Sequence, residues 1–344
     1  MTLPYHIEQE EQLDQLLSQP SPQTIDVIQR MDGDWIFLGV GGKMGPTLAR
    51  MAKHSAEEAG VTRRIIGVSR FSNPESKAQL EQWGIEAISC DLLNESELRT
   101  LPQVKNVVYL AGMKFGATGN EALTWAMNCY LPSLVCQHFN ESRIVAFSTG
   151  NVYGMQPIFY GGARETDYPR PDGDYAMSCL GRERIFEYFS TKYKIPVSLI
   201  RLYYATELRY GVLRDICQQV WDEQPISLAM GSLNAIWQGD ANNMALGAMD
   251  YASAPPFILN VVGPEILSVR QIALKFAQLL NKEVRFEGEE QTYTLLGNGQ
   301  LSHGLFGYPS VTTDHMVRWI SQWVMQGGSS LNKPTHFEVR DGKY

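Results

Sequence analysis

The chain is poor in cysteine, in basic charge and in long apolar runs, and each shortage removes a class of protein. Five cysteines (90, 129, 136, 179 and 217) occur in 344 residues, an odd number with no Cys-x-x-Cys pair. A disulfide framework and a metal site are therefore not expected, and a reducing cytoplasm is the expected compartment. Lysine and arginine number 29 against 37 aspartates and glutamates, for a formal net charge of −8. That balance argues against a nucleic-acid or membrane partner. No stretch approaches the ~20 consecutive apolar residues of a membrane span. The opening MTLPYHIEQEEQLDQ is acidic where a secretory signal is basic and then apolar. Internal repeats and low-complexity tracts are also missing. What is present, 44% hydrophobic and 19% charged, is the composition of a globular protein long enough for two lobes.

Residues 1–33 read as a polar extension of two short helices, the second opened by Ser21 as N-cap and Pro22 at the first helical position. From Asp34 the pattern becomes strand, turn, helix, repeated. WIFLGV, RIIGVSR, EAISCDL, NVVYLAG, RIVAFST and VSLIRLY are the strands, apolar throughout, with helical stretches between them. This alternation predicts an α/β fold, a doubly wound parallel sheet covered on both faces. Residues 34–205 with 235–262 are expected to form a Rossmann domain. Residues 206–234 and 263–344 are expected to form a smaller C-terminal substrate lobe, with a polar, mobile tail after Gly327.

WIFLGV runs straight into GVGGKMG, which places Gly39, Gly42 and Gly45 around Lys43 and Met44. Glycine there permits a tight turn, close approach of backbone to a pyrophosphate, and close packing of helix on strand. The following helix N-terminus offers unpaired N–H groups and partial positive charge to the phosphates. Its place between a strand and a helix, early in a βαβ series, reads as dinucleotide binding. At the end of the second strand an acidic residue would bond a ribose 2′-hydroxyl, whereas arginine accommodates a 2′-phosphate. The chain has Ser69 and Arg70 there and no carboxylate before Glu75. NADP is favoured over NAD.

With these landmarks in order, residues 34–325 resemble the extended short-chain dehydrogenase/reductases, the NAD(P)-dependent epimerase/dehydratase family. GVGGKMG, CDL, YLAGMK, FSTGNVYG, IRLYY and LNVVGPEILSV carry the resemblance, together with Asn128, Tyr175 and a late GYP segment. It implies a pyrophosphate turn at Gly39, Gly42 and Gly45, and Asp91 beside the adenine. Leu110, Ala111 and Gly112 would lie by the inner ribose, with Asn128 and Lys114 near the cofactor. Thr149 would bond the reacting oxygen, and Tyr175 would carry the proton as hydride moves to or from the nicotinamide.

A free phenol has a pKa of about 10, so it is a poor base at neutral pH unless a positive charge favours phenolate. The family supplies that charge from a lysine four residues after the tyrosine. Here that position is Cys179. Three readings stay open: Lys114 or Arg182 stands in, the reaction needs less help from the tyrosine, or the site binds cofactor and turns over poorly.

In nucleotide-sugar members an asparagine and an arginine of the second lobe grip the diphosphate. The chain has Tyr204 and Asn234 near those places, neither of them charged. A dianion needs charged donors, so a nucleotide sugar is disfavoured. Asn151, Tyr203, Tyr204 and Trp237 suggest a smaller, aromatic-lined substrate pocket, with Arg209, Arg214 and His303 on loops able to close over a carboxylate. The resulting expectation is an NAD(P)-dependent oxidoreductase or epimerase acting on a small sugar, polyol or sugar acid. The alternatives are a catalytically impaired cofactor-binding regulatory protein and, behind it, a nucleotide-sugar epimerase/dehydratase. The resemblance also implies a homodimer through helices around 121–139 and 175–192, with LPSLVCQHF and RIFEYF supplying apolar surface.

Overall fold

The computed structural model describes residues 3–114, 116, 119–340 and 342. Seven strands form one sheet: β1 (Trp35–Leu38), β2 (Ile65–Ser69), β3 (Glu86–Ser89), β4 (Asn106–Tyr109), β5 (Arg143–Thr149), β6 (Val197–Leu202) and β7 (Phe257–Val261). Their order is β7-β6-β5-β4-β1-β2-β3, and every pairing is parallel. The reversal between β1 and β4 is a topological switch point, where a doubly wound sheet opens a crevice at its carboxyl ends. Among the described residues no helix is long and apolar enough to cross a membrane.

The central strands are buried on both faces because most of their positions are apolar, whereas the edge strand β3 leaves Glu86 and Ser89 exposed. In β1, Trp35 and Phe37 point into one core and Ile36 and Leu38 into the other, all four at 0% exposure. Helices Pro22–Arg30, Gly45–Glu58 and Gln238–Gly247 cover the first face. Leu131–His138 and Gly173–Tyr193 cover the second. This corrects the origin of the apolar surface expected for a dimer: Leu131, Leu134, Val135, Cys136, Phe139 and Phe186 are core. They are spent on covering the sheet. The large apolar residues exposed along 121–138 and Gly173–Tyr193 are Leu123, Trp125, Tyr130, Met177, Tyr188 and Tyr193.

The Ser21 side chain accepts from Thr24 N at the start of Pro22–Arg30, as the Ser-Pro signal predicts. The extension is tied down by charge: Glu11 pairs with Arg50, and Asp14 with Arg209. A third core joins Val212–Trp221, Val269–Leu280 and Thr313–Met325. The tail after Gly327, expected to be mobile, packs onto this lobe. Its Phe337 is 3% exposed within that core, and Thr335 donates through N and Oγ1 to Asp215.

Helix Gly173–Tyr193 is fixed to the sheet by a buried ion pair between Glu183 and Arg201 of β6, 2.6 Å apart and 2–3% exposed. Ser148 of β5 donates to Glu183, and Arg201 donates to the Tyr153 hydroxyl at 2.6 Å. Removing one partner of such a pair leaves a buried, uncompensated charge, at a cost of about 3–5 kcal/mol. Arg201→Met is therefore expected to lower unfolding free energy in urea by that amount. The double variant Glu183→Met/Arg201→Met should recover much of it, and an additive loss would mean that the pair is not coupled.

Candidate active site

The crevice above the switch point is a cavity of about 680 Å³ reached by the ends of β1, β2, β4, β5 and β6. The glycine turn forms its floor. β1 stops at Leu38 because Gly39 has a φ of +87°, where a Cβ would also lie 2.7 Å from Ala111 N. Gly45 opens the next helix so close to Val40 that a Cβ would lie 2.2 Å from its carbonyl oxygen. Gly42, Lys43 and Met44 line the cavity between them. At one end, Ser69 and Arg70 line it beside Asp91, whose carboxylate also accepts from Leu93 N. These residues fit a dinucleotide: backbone free of Cβ atoms faces the cavity, a helix begins there, and β2 ends without a carboxylate.

Leu110, Ala111, Gly112 and Lys114 carry the wall on from β4. Asn128 does not line the cavity. It sits in a π-helical turn (Ala126–Tyr130), fully buried, and its amide brackets Met113, accepting from its N–H and donating to its carbonyl at 3.0 and 3.1 Å. It also donates to Ser178 Oγ at 2.9 Å, so it holds the wall loop against the Tyr175 helix. π turns of this kind often mark functional sites.

Tyr175, Thr149 and Asn151 meet at the other end. Thr149 closes β5 and its hydroxyl accepts from Asn151 N at 3.2 Å. The Tyr175 phenol lies beside Thr149 and Cys179, both of which act on its titration. Burial pushes the phenol well above its ordinary range, and Cys179 pushes it further, while Arg182 and Thr149 pull it back. Cys179 lies behind the tyrosine at 0% exposure, outside the cavity. Burial raises its thiol too, so it supplies no charge.

The charge comes from further along the helix. Arg182, 6% exposed, donates to Phe147 O at 2.8 Å and to Asn128 Oδ1. Its guanidinium abuts Gly112, where a Cβ would lie 2.2 Å from Nη2, and it reaches the cavity wall through that gap. Lys114 Nζ is 5.9 Å from the Tyr175 ring centroid, and burial lowers its pKa to about 8.

Tyr203 and Tyr204 line the cavity, Tyr203 with its ring wedged against Gly150 and Gly297. Arg209 does not: it is consumed by Glu207, Asp14 and Glu10. Arg214 donates to Gln218, His303 bonds Val262 O, and Trp237 packs on Trp319 in the core. Asn234 is occupied by Glu265 O and Gly297 N. Sequence reading missed Tyr210, Lys333 and Thr335, all of which line the cavity from the second lobe and the tail. Distant segments bring them there, and no local pattern marks them.

Lys43 Nζ lies 3.2 Å from the Tyr210 ring centroid. Burial, then the charges of Lys114 and Lys333, lower its pKa to about 6 from 10.5. The unfolded chain thus keeps a proton that the folded chain sheds between those values, and stability rises with pH across that window. Lys43→Met removes this penalty. Its melting temperature should exceed that of the parent most below pH 6, the gain fading toward pH 10.5; a pH-independent difference would contradict a desolvated ammonium.

The family model described as the NAD dependent epimerase/dehydratase family matches residues 35–205. No curated protein matches the chain. Among solved structures, UDP-glucuronic acid 4-epimerase from Bacillus cereus, in complex with NAD, superposes with a TM-score of 0.69 at 17% identity, covering 85% of this chain and 99% of that one. The dTDP-glucose 4,6-dehydratase DesIV from Streptomyces venezuelae, with NAD bound, gives 0.71 at 16% identity over 85% and 97%. Pal from Bacillus thuringiensis gives 0.71 at 15% over 85% and 99%. At these identities the likeness is one of fold.

Proposed function

The chain belongs, over residues 35–205, to the NAD-dependent epimerase/dehydratase family, and on that premise we propose that it is an NAD(P)-dependent oxidoreductase or epimerase acting on a carbohydrate alcohol. The observation that carries this reading is that Tyr175 and Thr149 line the same cavity as the glycine turn. The turn from Gly39 to Gly45 would hold the pyrophosphate, and Ser69 with Arg70 would take a 2′-phosphate, which favours NADP. When bound, the nicotinamide accepts or returns a hydride.

The chain's own residues handle the proton. Tyr175 takes it from the substrate hydroxyl, or gives it back, while Thr149 orients that oxygen. Arg182 supplies the charge that position 179 lacks, since its field lowers the phenol's pKa. Guanidinium suits the place because it stays charged when buried and tolerates partial dehydration better than ammonium does.

The small-substrate reading is supported by Tyr204 and Asn234 at the places where a diphosphate grip is expected, Asn234 being already bonded to backbone. A nucleotide sugar is a second reading, favoured by the UDP-glucuronic acid and dTDP-glucose named for the structural neighbours. Incubation with NAD⁺ or NADP⁺ and D-glucuronate, D-glucose, UDP-glucuronic acid or dTDP-glucose separates them by NAD(P)H absorbance and product NMR. Cofactor binding without turnover on any of these would favour a regulatory protein instead. We also propose a homodimer, its contact the face exposing Trp125, Tyr130, Met177 and Tyr188. Sedimentation of a single monomeric species would refute it.

Tyr175→Phe is expected to lower kcat by roughly 10²–10⁴-fold, the usual worth of positioned acid–base catalysis, with cofactor affinity unchanged. Arg182→Met removes a positive charge, so the phenol's pKa rises and, in alcohol oxidation where Tyr175 must be deprotonated, the ascending acid-side limb of kcat/KM against pH moves to higher pH. A limb that stays in place would assign the charge elsewhere.

A further inference from the structure

Two cationic side chains of the cavity have no part in the chemistry above, and they come from opposite ends of the chain. Lys43 leaves the glycine turn and crosses to the second lobe, where it lies over Tyr210. Lys333 is carried in by the tail. That tail is built as a strap: Leu331 N donates to Arg209 O at 3.1 Å, and Thr335 donates twice to Asp215 Oδ2 at 2.7 and 2.6 Å. Phe337 is buried, and Arg340 Nη1 donates to Ala229 O and Tyr293 O at 2.8 and 2.7 Å. Lys333 lies between the first two clamps, so its position over the cavity is fixed on both sides.

We propose that Lys43 and Lys333 form an anion subsite for the substrate, one that takes a carboxylate or phosphate group and is completed by the C-terminal strap. The proposal rests on the reading of this cavity as a site for a nicotinamide dinucleotide and a carbohydrate. Its location points to substrate rather than cofactor. The adenine end of the cavity is marked by Ser69, Arg70 and Asp91, whereas Lys43 and Lys333 lie where Tyr210 and Thr335 bring the second lobe and tail into the wall. Lys43 reaches toward that lobe instead of along the turn that would hold the pyrophosphate.

The electrostatics agree with the geometry. Lys333 and Lys114 each depress Lys43, while Asp215 is the one carboxylate that raises it. Asp215 also accepts both Thr335 bonds, and the charge of Glu338 acts on Lys114 and Asp215. Like charges gathered in a partly dry cavity repel one another, and an entering anion reverses that penalty. A neutral ligand gains nothing from it.

The test is calorimetric titration of the full chain, saturated with NADP⁺ or NAD⁺, using D-glucuronate, UDP-glucose and D-glucose as probes. Either anion should bind at least tenfold more tightly than glucose, and which one does distinguishes carboxylate from phosphate as the source. Lys333→Met and Lys43→Met should each weaken that anion roughly tenfold, the worth of one charged hydrogen bond. Lys333→Arg should retain most of the affinity. Affinity for NADPH in Lys333→Met should stay within about twofold of the parent on the same scale. The proposal falls if neither anion outbinds glucose, or if Lys333→Met leaves the preference intact. It falls also if Lys333→Met weakens NADPH as much as the anion, which would assign the strap to the cofactor. Absence of any NAD(P)H binding in the parent would instead remove the functional reading beneath it.

Discussion

The ion pair between Glu183 and Arg201 sets the height of the helix on which the reacting end of the cavity depends. Tyr175, Cys179, Arg182 and Glu183 fall at i, i+4, i+7 and i+8, one face of a helix over two turns. That face carries a phenol, a thiol, a guanidinium and a carboxylate, and all of it turns toward the sheet. Placing such a polar stripe against β5 and β6 requires a partner for each group. Arg201 and Ser148 satisfy Glu183, Asn128 and Phe147 O accept from Arg182, and Thr149 meets Tyr175. A rotation of the helix would unpair several of these together, so the phenol's position is fixed by a network and not by its own contacts.

Seen from this face, Cys179 and Arg182 are parts of one solution. A lysine at position 179 would bring a second cation beside a guanidinium already clamped by two oxygens, in a place with little water to screen them. A small neutral side chain avoids that conflict. The positive field then comes from two turns along the helix, and Gly112 opens the wall to admit it, since any Cβ there would strike Nη2. Tyr175 thus keeps a charged neighbour although position 179 carries no lysine.

How much of this could be read in advance follows from the range of the interactions involved. The strands themselves, the glycine turn and the Ser21 cap are written in stretches of a few residues, where periodicity and φ requirements speak locally. The ends of β2 and β4 and the Tyr175–Thr149 meeting are one step harder, but a fixed βαβ winding carries them to the same crevice. Arg209 went the other way. Its sequence neighbourhood suggests a substrate clamp, yet Asp14 and Glu10, nearly two hundred residues earlier, claim it. LPSLVCQHF reads as surface for a partner and is used to cover the sheet instead. The tail is the clearest case, for a polar segment with one phenylalanine and one threonine gives no local sign that Phe337 finds the core and Thr335 finds Asp215.

The cavity that results is electrically lopsided, and the asymmetry follows from how its walls are made. One end is built from strand ends of the sheet, where Arg70 and Asp91 both line the cavity. The reacting end is closed by pieces that the sheet does not supply: the wall loop with Lys114, the second lobe with Tyr210, and the strap with Lys333. Together they bring the Tyr210 ring and the ammoniums of Lys114 and Lys333 around Lys43. Burial in that setting is why Lys43 and Lys114 sit near 6 and 8 when their ordinary value is 10.5. Groups poised this way respond strongly to an anion, because its arrival restores the favourable charged form of several cations at once. In the proposed anion subsite, selectivity would fall to the strap, the piece least constrained by the sheet.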